Sequence, residues 1–124
     1  QDMNNEKEEN FIQYMDTRIS ATQEYISQLT ADHRKDESDF EKIRANIYQI
    51  LKTIFQASQK MALEEDEQTR FLHSRLVVIE NNWRASLKKA EEYHDERKIL
   101  QEQIKLEVMD EVHAAFPKLW EVII

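Results

Sequence analysis

The sequence has no glycine and no cysteine, and its single proline is Pro117. Glycine supplies the positive φ angles that phosphate-binding loops, nucleophile elbows and calcium loops require. Its absence therefore excludes dinucleotide and nucleotide loops, EF-hands and glycine-flanked nucleophiles. The absence of cysteine excludes disulfide bonds, thiolate metal ligands and cysteine nucleophiles. The sequence therefore predicts no cofactor site of these kinds, and a chain that favours helix from end to end.

Composition and charge limit the remaining classes of protein. A chain of 124 residues is predicted to form a single domain spanning residues 1–124. Hydrophobic residues make up 40% and charged residues 34%, as expected for helices with one buried and one solvated face. The net charge of -8 disfavours nucleic acid and anionic membranes as partners.

Targeting features are weak. No apolar run approaches the roughly 20 residues of a membrane span, and residues 1–10 are polar and acidic, unlike a signal peptide. We therefore expect a cytoplasmic protein, with export as the open alternative. The composition suits the small acidic helical proteins that bacteria encode.

Apolar residues recur at alternating steps of three and four, the spacing of a helical stripe and of coiled coils. Polar stretches interrupt the stripe around residues 30–39, 64–68 and 94–97. The spacing predicts four helices, over residues 6–31, 37–63, 67–93 and 96–115. Rods of similar length joined by short links predict an all-α, antiparallel up-down four-helix bundle.

Several side chains define the expected ends of these helices. Ser38 and Asp66 are candidate N-caps of the second and third helices, and Asp95 is the candidate N-cap of the fourth. Pro117 is expected to end the last helix, because the residue before a proline avoids the α region. The pair Asn81-Asn82 allows a kink or short break within the third helix.

The link near His94–Glu96 decides the architecture, because the apolar stripe stays in phase across it. If residues 68–115 formed one rod, it would be about 72 Å long and would leave Leu100 and Ile104 uncovered. The alternative to four helices is therefore a three-helix bundle whose long third helix dimerises.

Two motifs have the spacing of metal ligands. Glu91-x-x-His94 and Asp110-x-x-His113 resemble the carboxylate–histidine pairs of di-iron helical bundles. In an antiparallel pair of helices, however, the two histidines would lie roughly 25–30 Å apart along the axis. We therefore expect solvated helix faces, no metal and no catalytic residue. A metal-dependent helical-bundle enzyme, with sites completed between chains, is the alternative.

The last eight residues, 117–124, form an apolar tail that a solitary bundle does not need. This tail is expected to cap its own bundle, to dock on a copy or another protein, or to insert at a membrane surface. We predict a non-enzymatic interaction or adaptor protein that contacts a partner or itself through the last helix and tail, a homodimer being one form of this. The anchors would be Phe116, Leu119, Trp120, Val122 and Ile123. A chaperone-like role for an exported partner is a further alternative.

Overall fold

A computed structural model describes the backbone of residues 2–61 and 64–120, and the side chains of residues 10–61 and 64–119. Within those ranges the chain is all-α and has no strand. The four helices are α1 (Asp2–Ala31), α2 (Lys35–Lys60), α3 (Glu65–Glu92) and α4 (Glu96–Ala115), and a 3-10 helix follows at Pro117–Trp120. The predicted all-α chain of four helices is confirmed, and these helices are consistent with a four-helix bundle.

The predicted boundaries need small corrections. Helix α1 begins before residue 6, whereas α2 and α3 each begin two residues before the predicted starts of 37 and 67. Ser38 is not the N-cap of α2: it is buried inside that helix, with its Oγ 3.1 Å from Thr30 Oγ1. Nor does Asp66 cap α3, because Glu64 is its N-cap and makes no side-chain capping bond. The acidic first turn of α3 complements the helix dipole instead.

Helix α4 begins and ends at the predicted residues. Asp95 is the N-cap, and its Oδ1 accepts a hydrogen bond from Lys98 N at 3.1 Å. The helix stops at Ala115, one residue before Phe116 takes a non-helical conformation ahead of Pro117. Helix α3 is continuous through the exposed pair Asn81-Asn82, so the break allowed for there does not occur.

The chain divides into two compact units, Gln1–Ala57 and Ser58–Ile124. Each is built on a helical hairpin, which we name the first hairpin (α1 and α2) and the second hairpin (α3 and α4). In the first hairpin Phe11 stacks on Phe55, and Arg18 Nε donates to Tyr48 Oη at 3.1 Å. Phe11 and Phe55 lie far from the turn on α1 and α2, whereas Arg18 and Tyr48 lie closer to it, so the two helices are antiparallel.

The second hairpin is antiparallel for the same reason. Ser86 contacts Glu102 close to the turn, whereas Glu80 contacts His113 farther from it. Because the chain reverses between Glu92 and Glu96, the predicted alternative of one long third helix is wrong. The single domain predicted for residues 1–124 stays a prediction.

Both hairpins use the same turn. His33 and His94 have φ angles of 59° and 54°, the left-handed conformation that usually favours glycine. Each turn is a Schellman motif, in which two amide groups beyond the helix satisfy its last carbonyls. The bonds are His33 N to Thr30 O, Arg34 N to Leu29 O, His94 N to Glu91 O, and Asp95 N to Ala90 O.

The second hairpin repeats the first at a constant offset of 61 residues, the separation of His33 and His94. The same offset relates the ends of α1 and α3 and the starts of α2 and α4. It also relates buried residues of the two hairpins. The buried pairs are Phe11/Leu72, Met15/Leu76, Leu29/Ala90, Ile47/Val108, Tyr48/Met109 and Leu51/Val112.

The buried face of α4 differs from the predicted stripe. Leu100 and Ile104 belong to the apolar stripe, yet Leu100 is 47% exposed and Ile104 is only half-buried, whereas Val108 and Val112 are buried. The remaining buried positions of α4 are Glu102, Leu106 and Met109. The turn at His94 restarts the helix at a new rotation, so the phase of α3 does not carry into α4.

Candidate functional site

The most unusual group in the second hairpin is the carboxylate of Glu102, which is 1% exposed. Its Oε1 accepts hydrogen bonds from Lys105 Nζ at 3.0 Å and from Ser86 Oγ at 3.2 Å. Lys98 Nζ lies 3.2 Å from the same oxygen, one helical turn earlier. Helical spacing thus places both ammonium groups of α4 on one carboxylate, and α3 adds the hydroxyl.

Two opposed effects set the ionisation of Glu102. Burial works to raise the pKa of Glu102, because it disfavours the charged form. The hydrogen bonds from Lys105, Lys98 and Ser86 outweigh burial, and the pKa of Glu102 lies below its ordinary value. The carboxylate is therefore ionised at neutral pH. Its Oε2 is buried and has no hydrogen-bond partner among the described residues.

This cluster has little capacity for catalysis. Ser86 and Glu102 form a hydroxyl–carboxylate pair, but a carboxylate with a lowered pKa is a weak base for activating a serine. The ammonium groups neutralise Glu102, and Lys105 also lies over the ring of Trp83, 6.0 Å from its centroid. The arrangement fixes α4 against α3 through charge-assisted hydrogen bonds.

A second polar tie joins α3 and α4 farther from the turn. Glu80 Oε1 lies 2.7 Å from His113 Nε2, and Glu80 Oε2 accepts from Arg84 at 2.8 Å. Burial favours a higher pKa for Glu80, but the hydrogen bonds from His113 and Arg84 hold that pKa below its ordinary value. Like Glu102, Glu80 is thus kept as an anion between cationic or donor groups.

The third tie holds the 3-10 helix. His73 Nδ1 lies 3.0 Å from Leu119 O, and because a carbonyl oxygen only accepts, the Nδ1–H group donates the hydrogen bond. The 3-10 helix packs against α3 and α4. The first four residues of the predicted tail therefore fold back on their own hairpin.

The predicted partner-binding residues fall into two groups. Phe116, the C-cap of α4, and Leu119 are half-buried beside α3 and α4. The backbone of Trp120 belongs to the 3-10 helix. Val122 and Ile123 lie outside the described residues. The structure thus brings Phe116 and Leu119 together at one end of the second hairpin.

The structure does not bring together the four candidate metal ligands of the alternative hypothesis. Glu91 and His94 are exposed at the turn, and Asp110 is exposed near the far end of α4. His113 pairs with Glu80 instead. About 25 Å of α4 separates the turn from His113. No group of three or more carboxylate and histidine side chains arranged to hold a metal ion occurs in the part of the chain that the structure describes.

Sequence reasoning missed Glu102 and the histidine ties. The available signal was the set Lys98, Glu102 and Lys105, whose i+4 and i+3 spacing places all three on one helix face. Recognising that this face is buried required the rotation of α4, which the turn sets. The hydrogen bond from His73 to Leu119 joins residues that are far apart in sequence, and no local sequence pattern predicts it.

Comparisons with known proteins do not assign this chain to a family. The chain matches no protein-family model, no curated protein and no solved structure. No helix among residues 2–61 and 64–120 has the long apolar stretch that would cross a bilayer.

Proposed function

We propose that this chain is a non-enzymatic helical interaction protein, which contacts another protein or a second copy through α4 and the residues that follow it. The observation that supports this most is the state of Phe116 and Leu119. Both are held in place at the end of α4, yet both are only half-buried.

The comparison with the first hairpin strengthens this reading. At the offset of 61, the residue of α2 that is equivalent to Phe116 is Phe55, which is 5% exposed. The second hairpin therefore leaves apolar surface accessible where the chain at the end of α2 does not. Half-buried apolar side chains that are already ordered lose little conformational entropy on binding, which favours their use as anchors.

The polar ties of the second hairpin are consistent with a surface that stays fixed. His73 holds the carbonyl of Leu119, and His113 with Glu80 holds the last turns of α4. The side chains at this end are thereby presented on a supported backbone. By contrast, the cluster around Glu102 offers no activated nucleophile and no poised base, so we do not propose an enzyme.

Sedimentation velocity on the full chain and on Leu119→Glu tests the proposal, with Lys118→Glu as the control. Lys118 is exposed beside Leu119, and its substitution adds the same carboxylate without removing apolar surface. We expect the full chain and Lys118→Glu to self-associate as concentration rises, and Leu119→Glu to remain monomeric.

A monomeric full chain would contradict self-association and leave a different protein as the partner. A photo-crosslinker placed at Phe116 and used in the source cell tests that case, with Gln103 on the exposed part of α4 as the control position. Enrichment of one protein at Phe116 alone supports the proposal. Equal, unspecific crosslinking from both positions contradicts it.

A further inference from the structure

The backbone that follows α4 is supported differently from the end of α2. Helix α2 runs unbroken to Lys60, whereas α4 stops at Ala115 and Pro117–Trp120 forms a 3-10 helix. A 3-10 helix has poorer hydrogen-bond geometry than an α-helix, and one this short is little more than a single turn, so it is not stable alone. Its position must therefore come from contacts with the rest of the second hairpin.

One side chain of α3 supplies such a contact. His73 is half-buried, and its Nδ1–H group donates to Leu119 O at 3.0 Å. The amide of Leu119 donates in turn to Phe116 O at 3.1 Å. The two backbone groups of Leu119 are thus held from two sides, one by α3 and the other by the C-cap of α4. We name the bond from His73 to Leu119, which spans 46 positions of the sequence, the His73 clasp.

The chemistry of the ring makes the His73 clasp independent of histidine titration. A carbonyl oxygen only accepts, so the neutral ring keeps this bond in the tautomer whose proton is on Nδ1. The protonated ring carries a proton on both nitrogens and keeps the bond as well. Removing the ring donor by substitution is therefore the direct way to open the clasp.

We propose that His73 is the positioning residue of the surface at the end of α4, an inference that rests on the function proposed above. The clasp keeps Phe116 and Leu119 together beside α3 in the conformation that the partner binds. When the 3-10 helix detaches, these anchors separate, and the detached state contributes little to binding. His73 thus acts on affinity through the backbone of Leu119, without contact to the partner.

Hydrogen exchange at the Leu119 amide tests the clasp without any partner. His73→Leu keeps a side chain of similar size and removes the donor, whereas His73→Asn places an amide N–H close to the position of Nδ1. We expect exchange at Leu119 to accelerate about two- to tenfold in His73→Leu, as the loss of one hydrogen bond allows, and to recover in His73→Asn. The amides of Leu76 and Met109, two fully buried residues of α3 and α4, should not change.

Ser74→Ala is the matched control. Ser74 is exposed beside His73, and its Oγ donates to Phe71 O at 3.0 Å, so the variant removes a hydrogen bond from the same turn of α3. Exchange at Leu119 should stay as it is in the unmodified chain. Unchanged exchange at Leu119 in His73→Leu would overturn the proposal. Faster exchange throughout α3 and α4 would also overturn it, because His73 would then stabilise the whole hairpin.

NMR of the histidine rings in the nitrogen-labelled chain gives an independent signature of the clasp. The measurement is made in mildly alkaline solution, where an ordinary histidine ring is neutral. We expect the ring proton of His73 on Nδ1. A proton on Nε2 alone would exclude the bond to Leu119 and overturn the proposal.

Sedimentation velocity then relates the clasp to binding. We expect His73→Leu to weaken self-association by up to the factor measured for exchange, and His73→Asn to restore it. Equal association of both variants and the unmodified chain would contradict a positioning role. A monomeric unmodified chain would contradict self-association but not the clasp. Photo-crosslinking from Phe116 then replaces sedimentation, with the same order of yields expected among the three chains.

Discussion

The two hairpins have the same backbone plan and different interiors. In the first, the helices meet through stacked phenylalanines, Phe11 and Phe55, and through Arg18 lying over the ring of Tyr48. In the second, they meet through a buried carboxylate, Glu102, held by lysines and a serine. The turn and the helical spacing of the buried positions therefore define the hairpin. The chemistry at those positions is free to vary.

Substitutions at the apolar positions that the two hairpins share should cause the greatest loss of stability. Leu76→Ala should destabilise the chain by about 2–5 kcal/mol, because Leu76 is fully buried and its truncation leaves a cavity. Met15→Ala, at the equivalent position of the first hairpin, should cost a similar amount. Urea unfolding measures both.

The exposed Val78 provides the control for this pair, and Val78→Ala should change stability by less than about 0.5 kcal/mol. If Leu76→Ala lowered the stability as little as Val78→Ala, the buried positions that the two hairpins share would not be the ones that stabilise the fold.

A smaller loss of stability should distinguish the buried Glu102 of the second hairpin from Glu41, its equivalent in the first. Glu102→Gln should cost about 1.5–3 kcal/mol, because it removes a charged acceptor from two ammonium groups. Glu41 is the equivalent residue of the first hairpin and pairs with Arg44 at 3.4 Å. Glu41→Gln should cost at most about 1 kcal/mol. Equal losses of stability for the two variants in thermal unfolding would show that the burial of Glu102 does not strengthen its ion pairs.

Acid should weaken the second hairpin through the same carboxylates. The pKa values of Glu80 and Glu102 are lowered in the folded chain, so each contributes stability above the ordinary carboxyl pKa of about 4.5. That contribution is lost as the pH falls through the lowered pKa values. Amide exchange in α3 and α4 should therefore accelerate as the pH is reduced below about 5, after correction for the intrinsic rate.

The double variant Glu80→Gln with Glu102→Gln tests this origin, because glutamine does not titrate. It should show less acid sensitivity in α3 and α4 than the unmodified chain. An unchanged pH profile would assign the acid sensitivity to other groups.

The smallest effect should be the same in both hairpins. His33→Gly and His94→Gly should each stabilise the chain by about 0.5–1 kcal/mol, since both residues have left-handed backbone angles that cost a side chain with a β-carbon. The valine variants at these positions should destabilise it. Thermal unfolding of the four variants checks whether the two turns are energetically equivalent.

The helices could be predicted from sequence because their evidence is local. Stripe spacing, the cap at Asp95 and the stop at Pro117 placed α4 over residues 96–115, as found. The left-handed turns were harder to foresee, because the absence of glycine argued against positive φ angles and histidine fills both positions. Because the turn at His94 was not predicted, neither the rotation of α4 about its axis nor the exposure of Leu100 could be predicted.

The offset of 61 residues leaves little trace in the amino-acid sequence. Equivalent positions such as Tyr48 and Met109, or Thr22 and Trp83, share little beyond their place on the helix. Only the backbone and the burial pattern reveal the offset. For the candidate surface, the sequence indicated Phe116 and Leu119 as apolar residues near the end of the chain. It could not indicate that His73 supports them, because the two segments meet only in the folded chain.

The early stop of α4 has a practical consequence. Helix α2 continues to Lys60, but α4 ends at Ala115 and the chain bends into a 3-10 helix tied to His73. The backbone at Trp120 is therefore directed along the side of α3 and does not extend the axis of α4. A fluorophore or affinity handle attached near this position would report on, or obstruct, the flank of α3, whereas a label at the turn would leave that flank clear.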